Sequence, residues 1–257
     1  MSDSEEKINN SNSKNNKKSN ELDDKYPTKR GFIGYFLTYG VLFLSSIGLS
    51  IKAIGRENFP DKNPYIVTSN HQSYIDGLYI AKYLPRGHYK YMCCLADSTL
   101  EDKHGWAGRN VMRVGRGIAI DKFGNPMRGL IKAKKEVEKG NICFVFPEGM
   151  RTPTGRLLPF KEGACYLAIK ANVPLVPTYI SGVYDFWPKT ETWPHPFKGF
   201  LKRKKIRIVI GEPIYGKDFD NDAKKMTEYI YNWTLDMDNK YNDPEVLDKA
   251  LFKKKKN

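Results

Sequence analysis

His71 and Asp76, an imidazole and a carboxylate five residues apart, stand in the run Asn70-His71-Gln72-Ser73-Tyr74-Ile75-Asp76-Gly77, directly after the apolar stretch Tyr65 to Ser69. On a continuous helix five residues carry a side chain about 140° past a full turn, so the pair would face apart. The two meet only if His71 lies in a turn and Asp76 in the helix that the turn opens. Asp76 then accepts one imidazole N–H and fixes the tautomer, and the other ring nitrogen takes a hydroxyl proton, as in a triad without its serine. A plainer role is open to both residues: a surface turn histidine, and a helix-start carboxylate held by the macrodipole. A second block, Phe144-Val145-Phe146-Pro147-Glu148-Gly149-Met150-Arg151, places a rigid turn, a carboxylate and a guanidinium at another strand end. The planar fork of Arg151 suits a phosphate, since it bonds two oxygens at once; the alternative is an exposed pair with Glu148.

Taken together and in order, these blocks resemble the glycerolipid acyltransferases, and most closely the 1-acylglycerol-3-phosphate (lysophosphatidic acid) acyltransferases. The likeness runs from Ile66 to Thr178. NHQSYID at Asn70 to Asp76 matches the family's Asn-His-four residues-Asp block, and FPEGMR at Phe146 to Arg151 matches its phosphate block, with Met150 where the family usually has Thr or Ser. Gly117-Ile118-Ala119-Ile120-Asp121-Lys122 is similar to the basic block, Lys122 standing where the family usually has Arg, and Val173-Pro174-Leu175-Val176-Pro177 is similar to the apolar proline block.

The resemblance implies His71 as general base, Asp76 as its orienting partner, and Lys122, Glu148, Gly149 and Arg151 around a glycerol phosphate, with Lys161 in Phe160-Lys161-Glu162-Gly163 as a further phosphate candidate or a solvated lysine before a helix. It implies transfer of a fatty acyl group from a thioester to the sn-2 hydroxyl of 1-acylglycerol 3-phosphate, forming phosphatidic acid. The donor is acyl-CoA or acyl carrier protein, a co-substrate; no cofactor and no metal is expected. The leaving thiol has a pKa of about 8.5 and needs little acid help. The chain has no Gly-x-Ser-x-Gly elbow, so direct transfer in a ternary complex is expected rather than an acyl-serine.

Short β-like runs must position these residues. Tyr65 to Ser69, Gly117 to Asp121, Asn141 to Phe146, Pro174 to Ile180 and Lys205 to Gly211 read as strands, bounded by Gly, Pro, Asn or Lys. Asp76 to Leu84, Pro126 to Lys139, Glu162 to Ala171 and Asp222 to Asp236 read as helices. The alternation predicts an α/β layered domain over residues 55–252 with a mostly parallel central sheet flanked by helices, and ligands beyond strand ends.

The 257 residues carry a net charge of +14, which favours an anionic partner: a lipid surface, a phosphorylated substrate or nucleic acid. Residues 1–30 are polar, their seven basic and six acidic side chains nearly cancel, and they read as a disordered tail. Residues 31–51 hold no charge and just reach the length of a bilayer span, but four glycines dilute their apolarity and both flanks are basic. A helical membrane anchor over residues 31–54 that lies in the interface is expected, with a true span or a buried core helix as alternatives. The active site is expected to face the cytoplasm. Apolar surface beside basic charge points to an anionic membrane surface, not nucleic acid.

Four cysteines, two of them adjacent, fit neither a disulfide framework nor a zinc site, and Cys143 and Cys165 read as small buried hydrophobes. Gly115-Arg116-Gly117 leads into a strand and lacks the third glycine of a dinucleotide loop. His88, His104 and His195 show no ligand spacing. The Pro-aromatic stretch Pro188 to Pro196 is either an interfacial loop or a packed one. Lys202-Arg203-Lys204-Lys205 and the basic tail at 253–257 either hold anionic lipid or are solvated. Competing functions are acylation of glycerol 3-phosphate or another lysolipid, and a non-catalytic basic membrane-binding protein.

Overall fold

A computed structural model describes residues 31–121, 125–191, 194–195, 197–198 and 202–242. The expected tails at 1–30 and 253–257, Lys122 and Trp193 lie outside the described residues. The sheet runs in the order β1 (Leu49–Ile54), β8 (Lys202–Ile210), β6 (Leu175–Ser181), β2 (Ile66–Ser69), β5 (Ile142–Val145), β3 (Met92–Asp97), β4 (Gly117–Ile120). Every pairing along that path is parallel except β6 with β8, and β7 (Phe197–Lys198) adds a short antiparallel pairing to β8. The mostly parallel α/β sheet expected from the sequence is thus observed.

Every residue of β2, β5 and β6 is buried, as a sheet covered on both faces requires. Val67, Phe144, Val176, Ile180, Ile206 and Ile208 face one core, packed with Tyr79 and Ile80 of α2 (Asp76–Ala81) and Leu42 of α1 (Phe32–Gly48). Ile66, Cys143, Val145 and Leu175 face the other, against α4 (Pro126–Glu138), α5 (Gly163–Ala171) and α7 (Ala223–Tyr241) through Val137, Leu167 and Ile230. Cys143 and Cys165 are buried free thiols in this second core, as read. Caps fix the helix starts: Asn125 accepts from Met127 N at 3.1 Å ahead of Pro126, and Asp222 accepts from Lys224 N and Lys225 N.

Several elements went unread in the sequence. The uncharged segment does not stay helical to residue 54: α1 ends at Gly48 and Leu49–Ile54 becomes edge strand β1, because Leu49 and Ile51 find a parallel partner in β8. Met92–Asp97 forms β3, and Leu100–Gly115 forms α3, a helix interrupted at Gly105 by a backbone of φ 51° and ψ −125°. The strand read from Lys205 begins earlier, at Lys202, so the charge run lies within β8: Lys204 turns inward to the Asp185 carbonyl at 2.8 Å while Arg203 and Lys205 face out.

Within α1 the hydroxyls fold back on the helix, Thr38 donating to Gly34 O and Ser45 to Val41 O, each at 2.7 Å, so they need no water. Its inward side docks on the helix that begins at Asp76, where Tyr79 Oη donates to Ser45 Oγ at 3.0 Å. Phe32, Phe36, Tyr39, Phe43, Leu44 and Ile47 stay exposed. Among the described residues no helix is long and apolar enough to cross a membrane.

Candidate active site

β2 and β5 are parallel neighbours, so the turns that follow them emerge at the same end of the sheet. The first carries His71 and the second Glu148, and in space they interlock. His71 sits in the turn and Asp76 is the first residue of α2, the arrangement that their five-residue spacing demands. His71 Nδ1 lies 2.9 Å from Asp76 Oδ2. An ionised carboxylate only accepts, so Nδ1 carries the proton and Nε2 keeps its lone pair. The same Oδ2 accepts from Gln72 N at 2.6 Å and Ser73 N at 2.7 Å, which fixes the carboxylate without help from the imidazole. Asp76 is fully buried, whereas the His71 side chain keeps 16% of its surface open. The imidazole therefore reaches solvent while its partner does not.

Behind the imidazole, Phe146 stacks at a centroid distance of 4.0 Å and an interplanar angle of 16°, which holds the ring plane. Glu148 is 5% exposed and turned inward: Oε1 accepts His71 N at 2.8 Å and Oε2 accepts Leu158 N at 3.2 Å. Thr152 N donates to His71 O at 2.8 Å, so both backbone groups of His71 are tied to the second block. Burial pushes the Glu148 carboxyl up to about 8, against the two amide donors that favour its ionised form. The sequence expectation set Glu148 beside a phosphate; with both oxygens spent on backbone amides, it is a brace between two turns.

Arg151, Gly149 and Lys161 form the outer part. The Arg151 guanidinium lies 3.6 Å above the ring of Tyr74, a residue of the His71 turn. Stacking uses the face of the guanidinium and leaves its in-plane N–H groups for oxygens. Gly149 adopts φ +71°, and a Cβ there would come within 3.3 Å of Lys161 Cε and Nζ, so the glycine lets Lys161 lie across the turn. The alternative Arg151–Glu148 ion pair is not formed among the described residues: the guanidinium is on Tyr74 and the carboxyl on backbone. Among the described residues no three His, Cys, Asp or Glu side chains gather as a metal site.

Several positioning residues escaped the sequence reading. Asn70 clamps Ile180 of β6, donating to its carbonyl at 2.9 Å and accepting its N–H at 2.8 Å. Gln72 Oε1 accepts from Val183 N and Tyr184 N, both at 3.1 Å, at the start of the short helix α6 (Val183–Phe186). Tyr184 Oη in turn donates to Pro153 O at 2.9 Å. Asn70 and Gln72 belong to the quoted motif, but their partners lie over 100 residues away, where no local pattern points. Tyr74 Oη meets His104 Nε2 at 2.5 Å, so the histidine set aside for lack of ligand spacing supports the ring under Arg151.

The site is thus an imidazole held by a buried carboxylate at parallel strand ends of an α/β sheet, open on one side, with Arg151 stacked on the same turn. The chain belongs to the Acyltransferase family, whose model matches residues 50–181, from β1 to the end of β6. It is 36% identical over 155 residues to 1-acyl-sn-glycerol-3-phosphate acyltransferase alpha of Ovis aries, covering 56% of this chain and 49% of that one. A 1-acyl-sn-glycerol-3-phosphate acyltransferase of Bacillus subtilis is 25% identical over 80% of this chain and 96% of its own length. The chain spans about half the length of the mammalian relatives it matches. The crystal structure of the 1-acyl-sn-glycerophosphate (LPA) acyltransferase PlsC from Thermotoga maritima superposes with a TM-score of 0.57 at 26% identity, covering 76% of this chain and 77% of that one.

Proposed function

We propose that this chain is a 1-acylglycerol-3-phosphate O-acyltransferase that forms phosphatidic acid from lysophosphatidic acid and an acyl thioester. The observation that carries the reading is the His71–Asp76 pair, with Nδ1 bound to a buried carboxylate and Nε2 left to act. His71 Nε2 removes the proton of the sn-2 hydroxyl as that oxygen attacks the thioester carbonyl carbon. The buried Asp76 carboxylate stabilises the imidazolium that results. When the tetrahedral intermediate collapses, the C–S bond breaks and the imidazolium returns its proton to the departing sulfur, so the products are an ester and a free thiol. Phe146 and Glu148 hold the ring and its backbone in register for both proton transfers.

Arg151 and Lys161, with Lys122, are the groups for the glycerol phosphate. The stack on Tyr74 keeps the charge of Arg151 beside the base, so a phosphate held there presents a neighbouring hydroxyl to Nε2. Acyl-CoA or acyl carrier protein supplies the thioester. The helix α1 lies in the membrane interface, apolar side chains down, which gives lipid substrates access without a span, and the site faces the cytoplasm, where such thioesters are made.

The test is thioester-dependent acylation of lysophosphatidic acid by wild type and His71→Ala, with folding of both followed by limited proteolysis and the product identified by mass spectrometry. Phosphatidic acid and thiol from wild type alone are expected. Equal activity of the two proteins would remove the mechanism, and acylation of a different acceptor by wild type alone would remove the substrate assignment but not the base.

A further inference from the structure

On the outer face of β1 and β8 the side chains of Ser50 and Lys52 lie beside those of Arg203, Lys205 and Arg207, while Ile206 and Ile208 point to the core. The parallel register pairs Ser50 with Lys205 and Lys52 with Arg207, and these four residues with Ile206 line a cleft of about 180 Å³. Lys52, Arg203, Lys205 and Arg207 are all exposed. Arg207 Nη1 donates to Tyr241 O at 3.3 Å, at the last residue of α7. The carboxylate of Asp238 on that helix is taken by Tyr179 Oη and the Asn242 amide, both at 2.9 Å.

Like charges directly opposite one another in a ladder destabilise a sheet. A lysine that guards an open edge explains Lys52, since β1 ends the sheet, but not Lys205 and Arg207, which sit on the interior strand β8. A bound anion removes the repulsion.

We propose that this β1–β8 face is an anion site for the phosphate groups of acidic membrane lipids, distinct from the His71 site. A lipid surface rather than a soluble phosphate is the occupant because α1 passes into β1 without a linker and Arg203 donates to the carbonyl of Ser46 in the last turn of α1. Arg203 thus joins the cation ladder to the end of α1, whose Phe36, Phe43, Leu44 and Ile47 are exposed. The proposal rests on the interfacial reading of α1, which vesicles without charge test separately.

The experiment is co-sedimentation of the full chain with vesicles of phosphatidylcholine, alone or containing phosphatidylglycerol, for wild type, Lys52→Ala/Lys205→Ala and, as a charge-matched control on another part of the surface, Lys217→Ala/Lys224→Ala. Each cation at an anionic surface contributes about a fivefold gain in binding, so the ladder variant is expected to bind phosphatidylglycerol vesicles about 30-fold more weakly. Neutral vesicles are expected to bind it as they bind wild type, and the control pair is expected to lose far less. Lys52→Gln/Lys205→Gln, which keeps side-chain length, is expected to repeat the loss. Wild-type affinity of the ladder variant for anionic vesicles, with or without loss of inorganic phosphate binding, would overturn the proposal, as would an equal loss in the control pair. Failure of wild type on neutral vesicles alone would count against α1, and His71→Ala is expected to bind every vesicle as wild type does.

Discussion

Asp76→Asn separates the charge of the buried carboxyl from its shape. A single oxygen, Oδ2, serves three donors: His71 Nδ1 at 2.9 Å, Gln72 N at 2.6 Å and Ser73 N at 2.7 Å. Oδ1 is buried with no hydrogen-bond partner among the described residues. An asparagine whose oxygen occupies the Oδ2 position keeps all three donors and sets its NH₂ where no acceptor waits. The opposite rotamer turns NH₂ against three N–H groups and is excluded. The turn therefore survives, with a loss of about 1–3 kcal/mol from the unsatisfied amide and the weaker bonds to a neutral acceptor.

Catalysis loses more, because no negative charge faces the imidazolium as it forms. The corresponding change in a serine-protease triad lowers kcat about 10⁴-fold, or about 5.5 kcal/mol at 1.36 kcal/mol per factor of ten, by holding the wrong tautomer; here the amide oxygen keeps Nδ1–H, so that figure is an upper bound. We expect kcat to fall by about 10² to 10⁴, with KM for lysophosphatidic acid changing by less than about threefold, since Asp76 touches no substrate. The assay is thiol release at saturating thioester and acceptor, with a urea melt to show the fold intact. A folded Asp76→Asn protein that kept a tenth or more of wild-type kcat would refute the pairing of His71 with Asp76 as the source of the base.

Glu148→Gln tests the brace through pH. Burial raises the native carboxyl to about 8, so between the usual carboxylate range and pH 8 the native state holds a proton that the unfolded chain has released. Stability then falls as pH rises through that window, by up to about 1.4 kcal/mol per pH unit, and levels off above it. Denaturation midpoints at pH 5.5 and 8.5 are expected to converge in Glu148→Gln, and an unchanged difference would assign the slope to another group. Arg151→Lys keeps the charge but loses the fork and the stack on Tyr74, so KM for lysophosphatidic acid is expected to rise about tenfold or more with kcat nearly constant. A KM equal to wild type would place the phosphate elsewhere.

Much of the chemistry was legible in the chain itself. The five-residue spacing of His71 and Asp76 permits one local arrangement, a turn followed by a helix start, and the structure has it. Continuous apolar runs marked β2, β5 and β6, since strands buried on both faces leave no polar positions. Helical spacing of apolar residues likewise marked α4 and α7. Hydropathy could not mark the end of α1, because an uncharged segment satisfies a helix and an edge strand equally well, and β1 exists because β8 lies beside it. α3, interrupted at Gly105, went unread.

Tertiary structure alone decided which way each side chain of the motif turns. Glu148 faces inward to His71 N and Leu158 N, and Asn70 and Gln72 reach Ile180, Val183 and Tyr184. Arg151 rests on Tyr74 rather than on Glu148. The reason is physical: a sequence fixes what a residue can donate or accept, but the partner is whatever buried amide, carbonyl or ring the packed sheet brings within about 3 Å, and only the assembled layers bring those ends together.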